Sequence, residues 1–206
     1  MHVLSSRRAP MRHSQRAQRV ANNGADRDEK GGDAAMVTVE RLHDELEAIT
    51  RRVATCEGVL AIQDLKARYA DLVDRRFCRG QVISAGSLEE VARQIAELFT
   101  VDGVWDGGPA LGRVAGRGAI AERLRTPTLD FSRHIFVNPR IRVEGDTATG
   151  KWDLLSPCRA AGMSYWMSGY EDDEYCNVDG VWLHQSMKLT TVVMAPVAEG
   201  WTEIYA

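Results

Sequence analysis

Apolar residues recur first at helical and then at strand spacing along this chain. The plainest helix covers residues 61–76, where Ile62, Leu65, Tyr69 and Leu72 repeat every three or four positions and Ala70 and Val73 widen the stripe. Gln63, Asp64, Lys66, Arg68, Asp71 and Arg75 read as its wet opposite face. Upstream, Val39, Leu42, Leu46, Ile49 and Val53 follow the same spacing behind Thr38 as a cap, and Gly58 is expected to separate the two helices. A third helix is marked by Leu88, Val91, Ile95 and Leu98, with Ser87 and Glu90 reading as its capping box. Residues 104–106 and 111–114 read as short strands about the Gly107-Gly108-Pro109 turn, and Gly116-Arg117-Gly118 leads into a short helix over 119–124.

From Phe131 onward the period becomes that of sheet. Strands are predicted over 134–143, 147–157, 163–178 and 181–193, parted by turns at Glu144-Gly145-Asp146, Ala160-Ala161-Gly162 and Asn177-Val178-Asp179-Gly180. Helices followed by a run of long strands give an α+β plan: a curved antiparallel sheet wrapped around N-terminal helices as a cone, with a mouth and an apolar interior that suits a small molecule. Residues 1–35 hold almost no large apolar side chains and read as a disordered basic arm, which leaves 36–206 as one domain.

Composition narrows the function classes. The net charge is −3, divided as +3 on the arm and −6 on the domain, so no field gathers nucleic acid. Cys56, Cys78, Cys158 and Cys176 form no CxxC pair and have no histidine at ligand spacing, which argues against zinc and a disulfide scaffold and for a reducing cytoplasm. No apolar run approaches the roughly 20 residues of a membrane span. Nucleotide-binding, zinc-protease and serine-hydrolase motifs are missing from the sequence, so no cofactor and no metal is expected.

Two polar groups disturb the 61–76 helix: Tyr69 on its apolar stripe and Asp74 at the stripe's margin. Five residues is about 140° of helix, so the two cannot share one line, but both can border a cavity that the helix closes. A carboxylate there is either a paired structural charge or a tuned acid/base. Glu171-Asp172-Asp173-Glu174 cannot converge on one cation, because consecutive strand residues face opposite ways, and the run reads as a wet edge strand. His184 shares its strand face with Trp182 and reads as packed or facing an oligomer partner.

The ordered set of residues 61–74, Leu98-Phe99-Thr100-Val101-Asp102-Gly103-Val104-Trp105, Gly116-Arg117-Gly118, His134 with Asn138, Gly145-Asp146-Thr147 and Asp179-Gly180-Val181-Trp182 resembles the SnoaL-like branch of the nuclear transport factor two-like superfamily. Members of that branch include scytalone dehydratase, bile-acid 7α-dehydratase and lindane dehydrochlorinase. The resemblance implies an Asp/His dyad of Asp74 and His134, a tyrosine of the bile-acid enzyme at Tyr69, and a further pocket carboxylate at Asp153. Trp105, Phe136, Asn138 and Met187 complete the expected substrate-binding set. Several relatives place an arginine where this chain has Met187, which implies an apolar or neutral substrate group. The implied function is a cofactor-independent dehydratase or isomerase-type lyase acting on a hydrophobic polycyclic, steroid-like or polyketide molecule. The alternatives are a ligand-binding or dioxygenase small-subunit-type protein, and epoxide opening by an activated water. A homodimer or homotrimer is the expected assembly, with neither nucleic acid nor membrane as partner.

Overall fold

The computed structural model describes residues 38–201, and the predicted arm, residues 1–35, lies outside them. The first helix, α1 (Val39–Asp74), runs through Gly58 without a break. A Cβ at Gly58 would lie 3.3 Å from both the Trp182 and Val143 side chains, so the glycine lets the helix approach the sheet. That close packing outweighs a propensity cost of about 1 kcal/mol, which is why the expected pair of helices is one. At about 1.5 Å per residue the helix is some 54 Å long. Every residue from Val39 to Glu57 is exposed, and burial begins at Gly58.

A small hairpin, β1 (Phe77–Cys78) and β2 (Gln81–Val82), turns at Arg79-Gly80. Helix α2 (Ala85–Glu97) then buries Leu88, Val91 and Ile95 as expected, but Ser84 caps it: its Oγ accepts from the Ser87 N–H at 3.4 Å. The capping serine thus precedes the predicted one by one helical turn. Strand β3 (Phe99–Asp106), the single turn α3 (Gly108–Leu111), strand β4 (Arg113–Ala115) and helix α4 (Arg117–Leu124) follow.

The rest of the described chain is sheet: β5 (Phe131–Ser132), β6 (Ile135–Glu144), β7 (Thr147–Ala160), β8 (Met163–Val178) and β9 (Val181–Pro196). Ala161-Gly162 and Asp179-Gly180, all at positive φ, make the two-residue turns before β8 and β9, the geometry that matches strand twist. Seven strands form one curled sheet in the order β4-β3-β9-β8-β7, with β5 and β6 on successive stretches of β7. All pairings are antiparallel except β3 with β9. The run 171–174 therefore lies on a strand paired on both sides, not on an edge.

Alternation sets the inner face. Ala148, Trp152 and Leu154 of β7, Glu171, Asp173 and Tyr175 of β8, and Trp182, His184, Met187 and Leu189 of β9 are buried. Ala148, Trp152, Tyr175, Trp182 and Met187 pack with Ile62, Leu65, Tyr69 and Val73 of α1, Ile95 of α2 and Ile120 and Leu124 of α4, while Leu154 and Leu189 form a smaller cluster with Cys158 and Met167. The four cysteines are unpaired, and no helix among the described residues is long and apolar enough to cross a membrane.

Candidate active site

Asp74 is the last residue of α1. The helix end is held by Arg76, whose Nε donates to the Val73 carbonyl at 3.0 Å. The buried Asp74 carboxylate accepts the backbone N–H of His134 at 3.0 and 3.2 Å to its two oxygens. Its Oδ1 also lies 2.7 Å from the His134 ring Nδ1, and Arg133 Nε lies 3.3 Å from Oδ2. One carboxylate therefore fixes both the main chain and the imidazole at the start of β6. A carboxylate at Nδ1 keeps the proton there and leaves Nε2 as the basic nitrogen.

Asp74 and His134 line a cleft of about 520 Å³ between α1 and β6, within the range of small-molecule sites. Ala67 and Ala70 on α1 leave the room, while Phe136, Trp152 and Pro139 give apolar walls. The Phe136 ring stacks on the His134 imidazole with centroids 6.0 Å apart. A hollow of similar size on the outer face is lined by Arg142, Glu144, Thr147, Glu174 and Gln185. It has no histidine or buried carboxylate side chain, so the cleft is the site with convergent chemistry.

Of the other predicted site residues, Phe136 lines the cleft and the rest fall elsewhere. Tyr69 is on the core side of α1, where its hydroxyl accepts from Trp105 Nε1 at 3.0 Å, and neither residue lines the cleft. Burial and then the Glu171 carboxylate push the phenol well above its ordinary range. The cleft follows Lys66, Ala67, Ala70 and Asp74, a line from which Tyr69 is turned away. Asp153 is next to inward-facing Trp152 and so projects from the opposite face, where Asn138 Nδ2 donates to its Oδ2 at 3.0 Å. Asn138 itself sits at positive φ in the β6 bulge. Met187 is a core residue, in register opposite Asp173.

Sequence reasoning missed the polar centre behind the cleft. Lys66, assigned to the wet face, is 1% exposed, lines the cleft and reaches both Glu171 Oε2 and Asp173 Oδ2, the latter at 2.7 Å. Tyr175 donates to Asp173 at 2.7 Å and receives Trp152 Nε1 at 2.9 Å. The Lys66 ammonium also lies 4.3 Å from the Phe136 ring centroid. Burial alone would lower the Lys66 ammonium, but Asp173 and Glu171 outweigh it and hold it above its ordinary value. Asp173 is pushed up to about 6 by burial against the pull of Lys66, with Glu171 adding to the rise. The interior therefore does hold a cation, delivered from α1 rather than from position 187. The missed signal was periodic: Ile62, Lys66, Tyr69 and Val73 share one stripe, and Glu171, Asp173 and Tyr175 share one strand face.

His184 is fully buried, stacks on Phe99 with centroids 5.0 Å apart, and has no hydrogen-bond partner on either ring nitrogen. Burial, then the Lys66 charge, drives it well below the usual histidine range, so it is neutral. It packs in the core and does not face outward. Among the described residues, no group of three or more His, Cys, Asp or Glu side chains could hold a metal ion.

A family model described as a SnoaL-like domain matches residues 54–188. Among solved structures, the chain is similar to hexachlorocyclohexane dehydrochlorinase LinA-type3 from Novosphingobium barchaimii LL02, at 21% identity and a TM-score of 0.55, covering 75% of this chain and 94% of that one. A provisionally assigned scytalone dehydratase from Novosphingobium aromaticivorans DSM 12444 matches at 20% identity and a TM-score of 0.55, covering 69% and 89%. An NTF2-like protein with a cystatin-like fold from Novosphingobium aromaticivorans matches at 21% identity and a TM-score of 0.51, covering 75% and 90%. At these identities the likeness shows the fold. No curated protein sequence matches.

Proposed function

The chain belongs to the family of SnoaL-like domains, and from that premise we propose that it is a cofactor-independent lyase, a dehydratase or related elimination or isomerisation enzyme. Its substrate is a hydrophobic polycyclic, steroid-like or polyketide molecule. The observation that carries this reading is the 2.7 Å contact of Asp74 Oδ1 with His134 Nδ1 on the wall of a 520 Å³ cleft with aromatic sides.

His134 Nε2 takes a proton from a substrate carbon. The released electron pair forms a carbon–carbon double bond as the neighbouring carbon–oxygen bond breaks. The departing oxygen recovers the proton from the imidazolium and leaves as water. Asp74 holds the required tautomer and stabilises the charged ring, as a carboxylate does beside a catalytic histidine. Tyr69 does not line the cleft, so hydrogen-bonding an oxygen as charge develops on it falls to Lys66 in this reading. Two of the three ammonium protons are committed to Glu171 and Asp173, and the third is available to a molecule in the cleft.

The test is a mass-spectrometric screen of hydroxylated steroids and polyketides for loss of water, with His134→Ala and Asp74→Asn in parallel. Each variant should lose roughly 10²–10⁴-fold in kcat while its circular dichroism is unchanged. Native-rate turnover by His134→Ala would remove the dyad from the mechanism. Stabilisation by a ligand without conversion, equal in all three proteins, would mark a binding module.

A further inference from the structure

The half of α1 that lies outside the core carries a second pattern, independent of the cleft. Val39, Leu42, Leu46, Ile49, Val53, Cys56 and Leu60 are spaced 3, 4, 3, 4, 3 and 4 residues apart. The six apolar members are 49–78% exposed, and Cys56 is exposed too. Between them stand charged or polar residues, apart from Ala48, Ala54, Gly58 and Val59. A helix that lies on a globular core needs a broad stripe, whereas a strict 3,4 seam is the narrow contact of two supercoiled helices. Three heptads, about 33 Å of helix, is the length at which such a repeat argues for a coiled coil.

We propose that residues 39–60 pair with the same segment of a second copy of this chain in a two-stranded coiled coil. Val39, Leu46, Val53 and Leu60 occupy one seam position of the heptad, and Leu42, Ile49 and Cys56 the other. The flanks suit self-association in either strand direction. Arg52 meets Glu57 of the partner when the helices are parallel and Glu45 when they are antiparallel. Within each helix, Arg41–Glu45, His43–Glu47 and Arg51–Glu47 pairs support the exposed turns. The chain's own N-terminal residues make a poor substitute, since between Leu4 and Met36 only Met11 and Val20 are large and apolar. A free helical stretch of this length is marginal in water, so pairing also accounts for its persistence beyond the core.

The test is sedimentation equilibrium of the full-length chain at micromolar concentration, against a Leu46→Glu, Ile49→Glu double variant and Arg52→Glu. Both altered sites are exposed, so the folded domain is retained, and circular dichroism checks it. The native chain should have at least twice the 22.9 kDa of one copy, and the double variant half the native mass. Arg52→Glu should dimerise several-fold more weakly, because it sets acid against acid in either direction. A native mass of one chain, a double variant of native mass, or an unchanged dimer constant for Arg52→Glu would overturn the proposal. These readouts are of mass alone and stand or fall apart from any catalytic activity.

Discussion

Replacing Lys66 by Met removes the single cation from a buried cluster holding two carboxylates and leaves a side chain of similar length. Glu171 and Asp173 are 2% and 3% exposed, so neither can recover its lost partner from water. Removing one partner of a buried ion pair costs about 3–5 kcal/mol, and for a chain of this size each kcal/mol moves Tm by about 2–4 °C. We expect Tm to fall by roughly 6–20 °C at about pH 8. The pH dependence gives the sharper check. Asp173 already titrates near 6 in the folded protein against an ordinary 3.8, so the folded chain holds a proton that the unfolded chain has released. Its charge therefore lowers stability as pH rises between those values, and the full cost stands above about 6. Without Lys66 the folded-state value rises further, which extends the loss toward neutral pH. Urea unfolding of native and Lys66→Met proteins at about pH 5 and about pH 8 should thus show a large difference at the higher pH and a much smaller one at the lower. Adding Glu171→Gln and Asp173→Asn should restore most of the loss at the higher pH. A deficit under about 1 kcal/mol, or one equal at both pH values, would refute the reasoning.

Gly169→Ala should destabilise by about 3 kcal/mol or more in chemical denaturation, since its Cβ would lie 2.2 Å from the Thr190 carbonyl oxygen at the β8–β9 bulge and only backbone movement relieves that clash. A native midpoint for this variant would show that the bulge has slack. His184→Phe removes two unpartnered ring nitrogens while keeping a planar ring against Phe99, and should be neutral or stabilising. Because the folded state keeps His184 unprotonated, the native chain loses stability from this residue as pH falls below the ordinary histidine value of 6.5. The advantage of His184→Phe should therefore grow between about pH 7 and pH 5, and parallel stability curves would count against a neutral buried histidine.

The pairing of Asp74 with His134 was expected from the family resemblance, and the two side chains lie 2.7 Å apart; helix spacing alone had left Asp74 as either a structural charge or an acid/base. The Lys66 centre was not expected. Lys66, Glu171 and Asp173 each read as surface residues by type, and burial becomes tolerable only when they meet across more than 100 positions of sequence. Lys66 was assigned to the wet face by its charge, although its position lies one helical turn from both Ile62 and Tyr69 on the apolar stripe. Asp153 shows the reverse error, since its neighbour Trp152 already occupied the inner face. Gly58 was judged by helix propensity, a weak effect beside the approach of Trp182 and Val143. The seven-stranded sheet was nearly complete in the pattern, because its long strands alternate cleanly and their turns carry Gly or Asp-Gly. What the pattern does not contain is the parallel joining of β3 to β9, which no local turn encodes.

That joining sets the order in which the protein can be made. Phe99 on β3 takes His184 on β9 as its register partner, and Trp105 takes Met187, across more than 80 residues. At 5–20 residues per second, a ribosome needs roughly 4–16 s to deliver β9 after β3 has emerged. Throughout that interval α1, α2 and β3 present their apolar faces without the strand that covers them. The nascent chain therefore keeps that apolar surface exposed until β9 arrives, and a chain truncated before β9 leaves β3 without its parallel partner.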